Sequence, residues 1–133
     1  MEDNIKKLSG YRFSSGLEAL EDARLMYSHG RYKAALSRAY YGILHGIRSV
    51  NALDQFRSSQ HADVISHFYQ FYVRTGAFPS EASKMITLAS ENRERADALD
   101  FYVASRESAE RQIERAEIFL DWVREYLQQK QII

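Results

Sequence analysis

The sequence predicts an all-α fold, an up-and-down bundle of four to five helices. Two observations lead there. One proline and six glycines in 133 residues leave few breaking points, and the stretches between them are rich in Ala, Leu, Glu, Arg and Gln, which favour helix. Apolar residues also recur on a helical period. Leu36, Ala39, Ile43, Ile47 and Val50 form one stripe, and Ala109, Ile113, Ala116, Leu120, Val123 and Leu127 repeat at intervals of 4, 3, 4, 3 and 4.

Helix one is expected from Ser14 or Ser15, either of which can cap it, through Leu17, Leu20, Ala23 and Tyr27 to Ser28-His29-Gly30. There glycine suits the left-handed position past a helix end, and His29 puts a cation near the helix C-terminus. The preceding residues read as a polar leader. The turn that follows is too short for anything but an antiparallel neighbour, so Tyr32 to about Ala52 make helix two. Asp54 to Gln60 is a polar loop. Helix three spans about His61 to Arg74, with Val64, Ile65, Phe68, Phe71 and Tyr72 as its apolar face, and Gly76 ends it. His61 falls where a capping or loop-anchoring residue belongs. Phe78-Pro79-Ser80 opens helix four, proline being pre-organised for a first turn. Met85, Leu88, Ala89 and Asn92 mark its inward face, and Asn92 to Asp97 its charged close. Asp100 to Val103 reads as a loop before a last helix starting near Ser105. Phe119, Trp122 and Tyr126 lie beside the apolar seam of that helix. Either a second subunit or partner covers this flank, or the monomer does. Gln128 to Ile133 is expected to fray.

The length fits one domain, 1–133, with its core over about 14–127, large enough to need no staples. Charge is balanced, 18 Lys+Arg against 18 Asp+Glu, so any nucleic-acid binding must come from a local patch. Without cysteine there is no disulfide framework and no thiolate zinc site. His61 and His67 are six apart, the wrong spacing to aim both at one ion, so no metal or cofactor is implied. No apolar run approaches the roughly 18 residues of a membrane span. A cytoplasmic protein that does not enter the membrane is the expectation.

Most of the chemistry lies in Arg31 to Arg48. Arg38, Tyr41, His45 and Arg48 form a stripe beside the apolar one on helix two. Arg38 and His45 are seven residues apart, two turns, so a guanidinium and an imidazole can converge on one phosphate. The plainer alternative is that Arg38 pairs with an acidic neighbour and His45 packs against the core.

Several segments together resemble the HEPN domain family, in its small stand-alone bacterial and archaeal form. They are Ala19-Leu20, Ala23-Arg24, Gly30-Arg-Tyr-Lys-Ala-Ala35, Arg38-Ala-Tyr-Tyr41 with His45, His61 before Val64-Ile65, Phe71-Tyr-Val-Arg-Thr-Gly76, and Arg95-Ala-Asp97, and they cover about Ser14 to Leu127. The resemblance implies a four- or five-helix bundle, usually a homodimer, often encoded beside a minimal nucleotidyltransferase in toxin–antitoxin-like pairs. Many members of the wider family are metal-independent ribonucleases. They use an arginine, four to six residues, then a histidine late in the domain, meeting across a dimer cleft. This sequence departs from that pattern, because its histidines are His29, His45, His61 and His67, and none follows Arg93 or Arg95. The spacing recurs from Arg38 to His45, on helix two.

Three functions remain open on these residues. In a ribonuclease, His45 would act as base or acid, Arg38 as phosphate clamp and Tyr41 as a stacking group. In a nucleotide- or RNA-binding module, Arg38, Tyr40, Tyr41, Arg93 and Arg95 would stack on bases and hold phosphates, with His61 and Asp97 in support. In an assembly module, Phe119, Trp122 and Tyr126 would bury against a second subunit or a nucleotidyltransferase.

Overall fold

The computed structural model describes residues 2–133. Its helices are α1 (Asp3–Ser28), α2 (Tyr32–Asn51), α3 (His61–Phe68), α4 (Glu81–Ala98) and α5 (Arg106–Gln129). No strand occurs among the described residues, and no helix there is long and apolar enough to cross a membrane. The all-α bundle is as the composition predicts.

The central helix is α2, which packs against α1, α3, α4 and α5 in turn. Its apolar stripe, Leu36, Ala39, Ile43, Ile47 and Val50, is buried to 1% exposure or less. The neighbouring polar stripe is left facing the rim. Across α2 lies the seam of α5, in which Ala109, Ile113, Ala116, Leu120, Val123 and Leu127 are all buried.

The turn between α1 and α2 forms as expected. Gly30 takes φ +73, and the Arg31 N–H reaches back to the Met26 carbonyl at 2.8 Å, closing the helix end. Close packing of α1 on α2 depends on glycine. A Cβ at Gly16 would sit 3.1 Å from the Gly42 carbonyl oxygen and 3.2 Å from Leu120 Cδ2, and one at Gly46 would sit 3.0 Å from Leu120 and 3.2 Å from Phe119.

Four expectations need correction. Residues 3–13 are not a polar leader but part of α1, which begins at Asp3, eleven residues before Ser14, and buries Ser9 and Phe13. The Ser9 hydroxyl donates to the Ser49 carbonyl at 2.7 Å. Gln128 to Ile133 does not fray either. Gln131 adopts φ 60, the Ile132 N–H donates to the Leu127 carbonyl at 2.8 Å, and Ile133 comes to Gly10 of α1. Helix three is regular only to Phe68, then passes into a π-turn at Tyr69–Val73, with the Arg74 N–H bonded to the Tyr69 carbonyl at 2.9 Å. The wider turn buries Tyr72 and Val73 and swings Phe71 out to solvent. Finally, α4 buries Ala82, Ile86, Ala89 and Ala96; of the face expected, Ala89 is buried, whereas Met85, Leu88 and Asn92 are partly exposed. Alanines there let α4 lie close to α2.

The last helix starts where expected, and Ser105 caps it, its hydroxyl oxygen accepting from the Ser108 N–H at 3.0 Å. One buried polar side chain ties the bundle together. Gln112 of α5 donates from Nε2 to the Leu36 carbonyl of α2 at 3.2 Å and to the Ala89 carbonyl of α4 at 3.1 Å, and its Oε1 accepts from Asn92 at 3.2 Å.

Glycine-to-alanine changes should separate the tight crossing from the open helix surface. Alanine gains about 1 kcal/mol of helix propensity, and overpacking a tight contact costs about 1–3 kcal/mol. Gly16→Ala and Gly46→Ala should therefore destabilise by about 1–2 kcal/mol. Gly10→Ala, whose Cβ would meet nothing nearer than 3.8 Å, should stabilise by about 0.5–1 kcal/mol. Urea unfolding at constant m-value measures all three.

Candidate functional site

The polar stripe of α2 meets the start of α3 and the last turns of α4. There, arginines, tyrosines and histidines gather. Tyr40 is 1% exposed, and its hydroxyl shares a hydrogen bond with His61 Nδ1 at 3.0 Å. Burial pushes the Tyr40 hydroxyl above its ordinary pKa, so it is a neutral post for His61. The Arg93 guanidinium of α4 lies 4.7 Å from the Tyr40 ring centroid and 6.0 Å from that of Tyr41, and Arg38 lies 4.9 Å from Tyr41. Two imidazoles flank the same ring: Tyr41 is 6.3 Å from His45 and 5.9 Å from His61, centroid to centroid. Arg38, Tyr41, His45, His61 and Arg93 are all partly exposed, so the group lines an open face rather than the core.

The local field is positive. Burial, then Arg48, Arg38 and Arg12, hold His45 below the ordinary histidine value; burial, then Arg48 and Arg93, do the same to His61. Both rings are consequently neutral near pH 7. Each is free to accept a proton when negative charge arrives. Asp97 accepts from Arg93 Nη1 at 3.0 Å and aims that guanidinium. The Arg93 Nε is buried without a partner.

The structure thus brings together Arg38, Tyr40, Tyr41, His45, His61 and Arg93, with Asp97 behind Arg93. It does not bring in Arg95. That residue is exposed and lies two positions from Arg93, about 200° around the helix. Asp97, four positions on, shares the face of Arg93 instead. The flank of α5 also differs from expectation. Phe119 is fully buried, 5.7 Å from the Phe68 ring and 6.3 Å from Phe78, so it cannot serve as a partner face. Tyr126 packs on Phe78 at 5.0 Å, and Tyr126 and Trp122 remain partly exposed. His67 is elsewhere, stacked at 3.9 Å on Phe56 and 2.8 Å from Asp54 Oδ2.

Arg48 and Arg12 were not among the predicted binding residues. Arg48 stands on the polar stripe one turn past His45 and could have been picked by spacing alone. Arg12 became readable only with the true start of α1, since it lies before the expected cap at Ser14.

A family model for the HEPN domain matches residues 10–126. The chain belongs to the HEPN domain family. This HEPN chain is 25% identical over 123 residues to a Thermotoga maritima protein named UPF0332 protein, covering 92% of this chain and 93% of that one. It is also similar to two Methanocaldococcus jannaschii proteins, each named a putative toxin. One is 29% identical over 115 residues, covering 84% of this chain and 83% of the relative. The other is 25% identical over 116 residues, covering 87% and 79%. The match begins at residue 10, inside α1 and ahead of the Ser14 start read from the sequence.

The depressed histidines of the HEPN site fix the sign of its pH dependence. A histidine with a lowered folded-state pKa leaves the unfolded chain binding more protons between the two values, so stability is full above about pH 6.5 and declines as pH falls below it. His45→Gln should flatten that decline. Proton NMR titration of the imidazole resonances should show His45 and His61 titrating below the ordinary value, and urea midpoints measured from pH 7.5 to 5 should show the change in slope.

Proposed function

We propose that this HEPN protein is a nucleotide- or RNA-binding component of a toxin–antitoxin-like pair, working as a homodimer with a minimal nucleotidyltransferase as its partner. The observation that carries the binding reading is the gathering of Arg38, Arg93, Tyr40, Tyr41, His45 and His61 on one partly exposed face. Arginines stacked on tyrosines are pre-organised: the rings fix the guanidinium planes while their outer edges stay available for phosphate. The neutral histidines add a reserve of positive charge that a phosphate would call up. The toxin names of two relatives agree with the wider setting. The homodimer and the nucleotidyltransferase rest on family resemblance, and light scattering of the chain at low micromolar concentration should give twice the monomer mass.

Arg38→Ala and Arg93→Ala should each weaken binding of a fluorescent single-stranded RNA and reduce its salt slope by about 0.7 for each phosphate no longer neutralised. Affinity should rise as pH falls from 7 toward 5, since a bound phosphate favours the protonated imidazoles. Equal affinity in wild type and both variants would refute the reading. Arg95→Ala should leave it nearly unchanged.

A metal-independent ribonuclease is the second reading, favoured by the placement of His45 and His61 on either side of Tyr41 with Arg38 alongside. Such a set offers a base, an acid and a cation for the developing charge at phosphorus. In that case His45→Ala should lower cleavage about 100-fold or more while RNA affinity changes little. Absence of cleavage by the folded wild-type protein leaves binding as the function.

A further inference from the structure

Beside the arginine–tyrosine face, beyond Arg48, lies a cavity of about 540 Å³. Its walls come from three elements: Leu8 and Arg12 of α1, Arg48 and Asn51 of α2, and Phe56 to Ser59 with Val64 around the start of α3. Three of the lining residues are arginines and none is acidic. The arginines crowd one another, since burial, then Arg48 and Arg57, hold Arg12 below its ordinary value. Such a cluster is costly while empty and favours an anion. Bidentate phosphate recognition is what guanidinium groups do best.

A second observation narrows the ligand. Asn51 is 1% exposed, and its Nδ2 donates to the Val64 carbonyl at 3.0 Å, which fixes the amide orientation. Its Oδ1 is thereby left as a buried acceptor with no partner in the protein. An unpaired buried acceptor costs about 1–3 kcal/mol, and arginine-bound phosphate oxygens, themselves acceptors, do not satisfy it. A ligand that suits both features carries negative charge and a separate hydrogen-bond donor. Leu8, Phe56 and Val64 add an apolar wall on which a planar ring can rest.

We propose that this cavity is a nucleotide subsite, in which Arg12, Arg48 and Arg57 hold a phosphate while Asn51 Oδ1 accepts from a ribose hydroxyl or a base amine. The proposal rests on the nucleotide- or RNA-binding reading above and deepens it, because Arg48 faces both places. It lines the cavity and is also among the charges that depress His45 and His61. A nucleic-acid strand can therefore place one nucleotide unit in the cavity and a more distant phosphate against Arg38 and Arg93.

The test is calorimetric titration of the full chain with adenosine 5′-monophosphate, adenosine and inorganic phosphate, run beside the RNA-binding assay. Arg57 is exposed, so Arg57→Gln will not unfold the protein; Arg12→Gln, which also loses a bond to the Arg48 carbonyl at 3.3 Å, is checked by its melting curve. The monophosphate should bind wild type at least about tenfold more tightly than adenosine or phosphate alone, and each arginine variant should lose about tenfold. The Asn51 side-chain amide signals should shift on titration in wild type. Unchanged affinity in both variants, or phosphate binding as tight as the monophosphate, overturns the subsite, as does no monophosphate binding by wild type. In any of those cases RNA binding that still depends on Arg38 and Arg93 leaves the wider reading standing. Monophosphate binding through Arg57 without RNA affinity does the reverse.

Discussion

The close crossing of α1 and α2 is the constraint on which the remaining architecture depends. Glycines at 16 and 42 remove the side chains that would hold the two helix backbones apart, and the missing side chain of Gly46 lets Leu120 and Phe119 of α5 fill the notch beside them. With α2 pinned on that side, its rotation is set. The apolar stripe turns to the core, and the adjacent stripe of Arg38, Tyr41, His45 and Arg48 must come out at the rim, where α3 and α4 supply His61 and Arg93. Helix-on-helix contact distances are set by the smallest residues at the crossing, so hydrogen atoms in place of methyl groups at Gly16 and Gly42 decide where a basic patch appears.

Gln112 performs a related task with polarity instead of size. It is fully buried, yet its amide binds a carbonyl on α2, a carbonyl on α4 and the side chain of Asn92. A satisfied buried amide locks register more narrowly than aliphatic packing, because displacement by an ångström breaks directional bonds. Arg93 follows Asn92 directly. The clamp therefore sets the height at which the α4 guanidinium meets the tyrosines of α2.

Much of this was legible in the sequence where period and punctuation agree. The bounds of α2, the Gly30 turn, the start of α5 near Ser105 and the α5 seam follow from 3.6-residue spacing and local turn chemistry. The first eleven residues of α1 were not legible, because Asp3 to Phe13 has a weak apolar pattern, and a pair of serines at 14 and 15 imitates a cap. What stabilises that segment is tertiary: buried Ser9 bonded to Ser49, and Phe13 in the core. The Arg38, Tyr41 and His45 grouping was readable because it lies on one helix. Its completion by His61 and Arg93 depends on packing between helices, and so does the exclusion of Phe119 from the surface. The choice between Arg93 and Arg95 needed only the helical angle fixed by Asp97.

The notch and its plug come from opposite ends of the chain. Gly16, Gly42 and Gly46 are made early, and the α1–α2 hairpin has only a short turn to close, so it can form while synthesis continues. Leu120 and Phe119 arrive more than seventy residues after Gly46. Until α5 leaves the ribosome, the hairpin carries an open apolar trough with nothing of its own to fill it. Nascent chains of this protein are therefore most exposed to aggregation and chaperone capture late in synthesis, and the last helix is what releases them.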